Sequence, residues 1–347
     1  MPVRICLIGA GRAGRVHARN LCESVKEATL VAIVDPVLEA RETLAREFDV
    51  PGQFATLEEA LSGSAFDAVV ITTPTFTHRD VAIEAAAAGK HIFCEKPMAL
   101  TLEQCDQMIA AAETAQVLLQ IGFMRRFDPA FVEAAERIRS GAIGRPMIIK
   151  THTRGPGLPP PWARDLATSN GMLAEVNSHD WDTLRWLAGA DYERVYAEVS
   201  NFKGSSHGIT TEHFYDNAVV SVRMESGALG LIDGTCPAEY GYDARAEVVG
   251  ERGLLQIGEL KGEAILTCVD GAQGLIQPVS RAWPQRFAWG YIYEMRHFVS
   301  AIRQGTTPRV TGQDGRWAVA GVLAATRSFL EGRPVPVAEV LDKVGRK

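Results

Sequence analysis

The chain has 347 residues, with 36 Lys+Arg against 42 Asp+Glu and a formal net charge of −6; such a balance gives a solvated surface, so no nucleic-acid partner is expected. With 46% hydrophobic and 22% charged residues, it is too apolar for disorder and too evenly mixed for collagen or a coiled coil. No run of about 18 apolar residues occurs, so no membrane-spanning helix and no membrane partner are expected, and the length suits two domains of roughly 100–200 residues each.

Met1-Pro2-Val3-Arg4 runs straight into a strand-like segment. That leaves no room for the charged region, apolar region and cleavage site of a signal peptide, and a cytoplasmic location is the expectation. Six cysteines (Cys6, Cys22, Cys94, Cys105, Cys236, Cys268) are scattered with no CxxC pair, and they read as small core hydrophobes in a reducing compartment.

In chain order, the first third carries continuous apolar runs at Val3–Ile8, Leu30–Val34, Ala68–Ile71 and Val117–Ile121, the pattern of strands buried on both faces. Stretches with helical spacing lie between them: Arg12–Cys22, Val37–Phe48, His78–Ala88 and Leu102–Ala115. The alternation predicts a doubly wound parallel sheet covered by helices, an α/β Rossmann domain over residues 1–122. Past Gly122 a helix over Pro129–Arg139 leads into strands that alternate apolar with polar residues, most clearly Ala218, Val220, Val222 and Met224 against Val219, Ser221 and Arg223. Such alternation fits a mostly antiparallel open sheet, so residues 123–347 are expected to form an α+β domain. Turns are predicted at Glu225–Ala228 and Gly250–Gly253, with the larger helices over Leu173–Leu187, Tyr291–Arg303 and Gln313–Leu330. The proline-rich stretch Gly155–Pro161 is too short for a linker and reads as an ordered loop.

The glycine loop Gly9-Ala10-Gly11-Arg12-Ala13-Gly14 follows the first strand and opens the first helix, the context in which this pattern cradles a pyrophosphate at a helix N-terminus. Gly9 permits the tight turn, Gly11 the close approach of the phosphates and Gly14 the packing of helix on strand, with Arg12 and Ala13 completing the cofactor-binding loop. Asp35 ends the second strand twenty-one positions after Gly14. An acid there accepts hydrogen bonds from both ribose hydroxyls and repels a 2′-phosphate, so NAD is expected over NADP; Arg41 is the one nearby cation that a phosphate would use.

Three further clusters fall at the carboxyl ends of predicted parallel strands, where such folds bind ligands. Thr73, Pro74 and His78 follow the strand at Ala68, and Glu95 and Lys96 precede Pro97 after His91–Cys94. A lysine at the exit of a buried strand suits contact with a reacting oxygen better than a solvated surface role. In the third cluster, Glu175, His179 and Asp182 are spaced i, i+4, i+7 and so share one face of a predicted helix. A carboxylate one turn from a histidine holds its tautomer and raises its basicity, as a general base requires. Trp162, after three prolines, either pins its loop or stacks on a sugar face.

In this order and spacing, Gly9-x-Gly11-x-x-Gly14, Asp35, Thr73-Pro74 to His78, Glu95-Lys96-Pro97 and Glu175-x-x-x-His179-Asp180-x-Asp182 resemble the Gfo/Idh/MocA oxidoreductases, nearest to the inositol dehydrogenase branch. Arg125-Arg126-Phe127-Asp128 and Ser140-Gly-Ala-Ile-Gly-Arg145-Pro146 extend the resemblance over both domains. It implies a homodimer or homotetramer, NAD as cofactor, no metal, and Lys96 and His179 as the catalytic pair acting on a small polyol or sugar held between the two domains. The inositol branch usually has Asp where this chain has Glu175. The expected reaction is oxidation of a secondary hydroxyl of a cyclic polyol or sugar to the ketone or lactone. His179 takes the proton, Lys96 stabilises the developing alkoxide, Glu175 tunes His179, and Arg126, Trp162 and Asp182 grip the other hydroxyls. The alternatives are a redox-neutral sugar-modifying enzyme (epimerisation or glycoside cleavage) that retains a transiently reduced NAD, an NAD-binding sensor without chemistry, and a metal-dependent isomerase using Glu175 and His179. Neither an HExxH motif nor a Cys/His cluster supports the last.

Overall fold

The computed structural model describes residues 1–258 and 280–341; Cys268 lies outside them. The chain divides into two compact units, Met1–Asp128 with Trp289–Val319, and Pro129–Ala288 with Ala320–Lys347.

The first unit is built on a six-stranded sheet of β1 (Val3–Ile8), β2 (Ala28–Val34), β3 (Gly52–Phe54), β4 (Ala68–Ile71), β5 (His91–Glu95) and β6 (Leu119–Gly122). The strand order is β3-β2-β1-β4-β5-β6 and every pairing is parallel. β4 is buried along its whole length, which is why its sequence is a continuous apolar run. Helices Arg12–Glu23, Leu38–Phe48, His78–Ala87 and Leu102–Thr114 match the predicted stretches to within a residue or so at each end. The side chains of Thr56 and Thr101 cap their helices by accepting the backbone N–H of Glu59 and Gln104, both at 3.2 Å, and so fix where those helices start. β3 has no counterpart among the predicted runs, since Gly52-Gln53-Phe54 is three residues at a sheet edge and carries no periodic signal.

A single boundary near Gly122 does not describe these two units. The helix Ala288–Gln304 joins the first unit from Trp289 onward, because Met295, Phe298 and Val299 are buried in the same core as Ile5, Leu7, Leu30, Val70 and Phe93. Its apolar stripe is visible in the sequence, but the surface that stripe covers is not.

The second unit carries a seven-stranded sheet of β7 (Pro146–Arg154), β8 (Tyr192–Ser200), β9 (Asn217–Met224), β10 (Leu229–Thr235), β11 (Asp243–Gly250), β12 (Leu254–Ile257) and β13 (Val335–Pro336). Its order is β12-β11-β7-β10-β9-β8-β13, antiparallel except for the β10–β7 pair. β9 alternates buried and exposed residues, and the predicted turns join β9 to β10 and β11 to β12. The helix Pro129–Arg139 has the expected bounds. The predicted helix over Leu173–Leu187 is instead two pieces, Met172–Glu175 and Ser178–Ala188.

Four of the five described cysteines are buried, and Cys22 is exposed. Among the described residues no helix is long and apolar enough to cross a membrane.

Candidate active site

The strand order places the point where the chain turns back to add strands on the other side of the sheet between β1 and β4, and the crevice at that switch point is where open parallel sheets take their ligands. Gly9 sits at φ +103°, a conformation glycine adopts without strain. A Cβ at Gly14 would stand 2.0 Å from Gly9 O, whereas one at Gly11 would meet nothing within 4 Å. Gly14 therefore permits contact of helix with turn, and the open side of Gly11 leaves the space a pyrophosphate needs. Gly11 caps the helix Arg12–Glu23 without a side-chain hydrogen bond, so the first N–H groups of that helix remain for an anion. Arg12 is exposed and Ala13 half-buried. Sequence reasoning did not single out Thr72, whose hydroxyl donates to Gly9 O at 2.8 Å and Ile8 O at 3.0 Å and so pins the loop to the end of β4.

Asp35 ties this loop to the exit of β2. Its Oδ2 accepts the Ala10 N–H at 2.7 Å and its Oδ1 the Val37 N–H at 2.8 Å. Each carboxylate oxygen has capacity for a further hydrogen bond, which suits ribose hydroxyls. Arg41 donates to the backbone oxygens of Asp35 and Pro36 at 2.9 and 3.4 Å, so its guanidinium is held at the main chain and Asp35 faces the loop. These residues fit an NAD adenosine half.

After β4 and β5 the predicted residues do meet. The His78 ring, buried, lies with Nε2 2.9 Å from Thr73 O and Nδ1 2.9 Å from Pro97 O, and so bridges the Thr73-Pro74 loop to the Glu95-Lys96-Pro97 loop. Burial pushes its pKa below the ordinary histidine range, against the Thr73 and Pro97 carbonyl oxygens, which favour the charged ring. Thr73 Oγ1 accepts from Thr77 Oγ1 at 2.7 Å. Glu95 is buried, with Oε1 2.7 Å from His17 Nε2 and Oε2 accepting the Lys96 backbone N–H at 3.1 Å. The Lys96 side chain is half-buried at the strand exit.

In the second unit His179 and Asp182 are 4% and 2% exposed, so the Glu-His-Asp stripe is not a solvated helix face. Glu175 does not share one unbroken helix with them. The Asn177 N–H reaches back five residues to Met172 O at 3.1 Å, a wide turn of the π type that often marks functional sites, and it separates Glu175 from the helix that carries His179. That helix packs against β7 and β10. Asp180, fully buried, accepts from Thr151 Oγ1 at 2.7 Å, Thr153 Oγ1 at 2.6 Å and Asn177 Nδ2 at 2.7 Å. A Cβ at Gly234 would lie 2.2 Å from Asn177 Oδ1, so only glycine admits the helix start at this distance from β10. Asp180 and Asn177 thus seat His179. Asp180 was quoted in the motif, but its partners on β7 had no signal in the sequence.

Two expected substrate contacts sit in other company. Arg126 is 7% exposed with Nη2 2.9 Å from Asp314 Oδ1, a buried ion pair inside the first unit. Trp162 is half-buried and its carbonyl accepts from Thr168 Oγ1 at 2.5 Å, within a loop that Arg164 also ties to Pro159 O.

Comparison with known proteins shows the family. Residues 3–123 match the family described as oxidoreductases with an NAD-binding Rossmann fold, and residues 131–256 match the GFO/IDH/MocA C-terminal domain. The chain is 37% identical over 340 residues to scyllo-inositol 2-dehydrogenase (NAD(+)) of Bacillus subtilis, covering 96% of each chain. It is 34% identical over 340 residues to myo-inositol 2-dehydrogenase of Thermotoga maritima, covering 98% of this chain and 100% of that one. The crystal structure of scyllo-inositol dehydrogenase from Lactobacillus casei with bound NAD(H) and scyllo-inositol superposes with a TM-score of 0.88 at 25% identity, over 97% of this chain and 100% of that chain. With the glycine loop, Asp35 and both domains in place, the chain belongs to the Gfo/Idh/MocA oxidoreductase family and carries its NAD-binding Rossmann domain.

Proposed function

We propose that this protein oxidises a secondary hydroxyl of a cyclic polyol of the inositol class to the ketone. The observation that carries the reading is the near full-length likeness to two inositol 2-dehydrogenases, one of them named for NAD(+), on a chain that presents a lysine at the exit of β5 and a buried histidine near the start of the helix Ser178–Ala188. NAD, when bound, supplies the hydride acceptor. His179 removes the hydroxyl proton. Lys96, as an ammonium beside the same oxygen, stabilises its developing negative charge and later polarises the ketone. Glu175 and Asp182 belong to the polar set that orients His179 and the ring hydroxyls, and Trp162 offers its indole as a stacking face for the polyol ring. Arg126 is better spent on its pair with Asp314 than on substrate. The active form is a homodimer or homotetramer in the cytoplasm.

The test is the pH dependence of kcat/KM for inositol oxidation in wild type, Lys96→Met and His179→Ala. Loss of about 10²–10⁴-fold in rate for His179→Ala is the expected scale for a missing general base, and of about 10²–10³-fold for Lys96→Met that for a missing charge stabiliser. A His179→Ala enzyme with an unchanged profile would overturn the assignment.

A further inference from the structure

Behind Lys96 lies a cluster that the proposed reaction does not use. His17 on the helix Arg12–Glu23, Glu95 on β5 and Glu294 on the helix Ala288–Gln304 offer one ligand atom each within 4.8 Å of one another, all buried and all in the first unit. Glu294 and His17 are both 0% exposed. Neither Glu294 carboxyl oxygen has a hydrogen-bond partner among the described residues, nor has His17 Nδ1. Among the described residues, Glu95 and His17 are the titratable groups grouped with Glu294; Tyr291, on its own helix, lies with its ring 5.7 Å from the His17 ring. Gln120 donates to the Glu294 backbone oxygen, not to its carboxyl.

Two buried carboxylates this close cannot both stay charged without a cation between them. A metal ion is one such cation, but ligand atoms each about 2.0–2.2 Å from one tetrahedral ion stand about 3 Å or more apart, whereas His17 Nε2 and Glu95 Oε1 are 2.7 Å apart. That is a hydrogen-bond distance, so the proton is the better cation. We infer that His17, Glu95 and Glu294 form a buried proton site in which Glu294 stays a neutral acid at pH 7, so that the Glu95 carboxylate beside it keeps its charge and its hold on His17 and the Lys96 backbone. Burial first, and the Glu95 charge second, hold the Glu294 carboxyl well above the ordinary carboxylate range, in the same sense. A Cβ at Gly122 would come within 3.1 Å of Glu95 Cδ and Oε2, so the wall beside this carboxylate is shaped for it. Glu294 is thereby a positioning residue for Lys96, a role that rests on the catalytic reading of Lys96; the charge state does not.

The charge state is read on the full-length protein with no substrate, by the infrared C=O band of a protonated carboxylic acid at pH 7. The band is expected in wild type and absent in Glu294→Gln. Linkage supplies a second reading. A raised folded pKa gives stability that is complete below the unfolded value and lost as pH rises through the folded one, and Gln cannot ionise. Glu294→Gln should therefore gain on wild type by up to tenfold in the folding equilibrium per pH unit above about pH 4.3. No acid band, no such gain, or a stoichiometric metal in the purified protein with lost stability on chelation would overturn the proposal. For the positioning role, Glu294→Ala should lose tenfold or more in kcat for inositol oxidation with a shifted pH profile, while Glu294→Gln stays within about threefold of wild type. An alanine enzyme with wild-type kcat and profile would refute that role. A protein that oxidises no polyol but shows the acid band would sink the functional reading and leave the proton site standing.

Discussion

Replacing Asp180 with alanine should be among the most damaging single changes in the second unit. The carboxylate is fully buried and accepts hydrogen bonds of 2.6–2.7 Å from Thr151, Thr153 and Asn177. Hydrogen bonds to a charged group contribute about 1.5–3 kcal/mol each, and donors left buried without a partner add their desolvation cost. The three are not additive, because they share one acceptor group; a net loss of about 3–5 kcal/mol is expected, a large fraction of a typical 5–15 kcal/mol. Thr153→Val removes a single donor and should cost about 1–3 kcal/mol by the same reasoning. Urea unfolding followed by tryptophan fluorescence, fitted for the midpoint and its slope, measures both. A double-mutant cycle between the two positions should show a coupling of at least about 0.5 kcal/mol. An Asp180→Ala protein within about 1 kcal/mol of wild type would refute the claim that this carboxylate anchors the helix carrying His179.

Asp35→Ala removes both tethers to Ala10 and Val37 together with the ribose acceptor. It should raise KM for NAD by about tenfold or more, or ~1.4 kcal/mol, and shift the NADP-to-NAD ratio of kcat/KM upward; steady-state kinetics with both cofactors decide this, and an unchanged ratio would count against it. Gly14→Ala places a Cβ 2.0 Å from Gly9 O; loss of NAD binding by calorimetry is the expected outcome, and wild-type affinity would contradict the packing. Asp216 is buried, which alone would raise its pKa, but the N–H groups of Phe202, Lys203 and Gly204 and the Asn217 amide together hold it below the ordinary carboxylate range. A lowered folded pKa gives stability that is present above the unfolded value near 3.9 and lost as pH falls through the folded one. The stability gap between wild type and Asp216→Asn should thus be full at pH 5–7 and shrink on acidification, as acid-titrated urea midpoints would show.

Much of this was legible in the sequence because it is local. β1 and the helix Pro129–Arg139 have the bounds their apolar spacing predicts, and the alternation through β9 named its buried face in advance. The glycine loop was readable because its chemistry needs backbone at fixed offsets. What escaped is non-local or irregular. His17 meets Glu95 78 positions away, and Glu294 joins them from a helix whose periodicity does not say which sheet it covers. The wide turn at Asn177 leaves the polar spacing of Glu175, His179 and Asp182 unchanged on paper, so a period-based reading extends one helix through it. Asp180 stood in the family motif with no role of its own until the threonines of β7 supplied its partners.

Hydride transfer from a polyol carbon is the claim on which the account stands, and isotope transfer measures it most directly. Purified protein is incubated with NAD and inositol deuterated at every carbon, and the dinucleotide product is weighed by mass spectrometry. The account predicts released NADH one mass unit heavier than that formed from unlabelled inositol, in equal amount to the ketone. Inositol consumed with no deuterium in any released dinucleotide would contradict it.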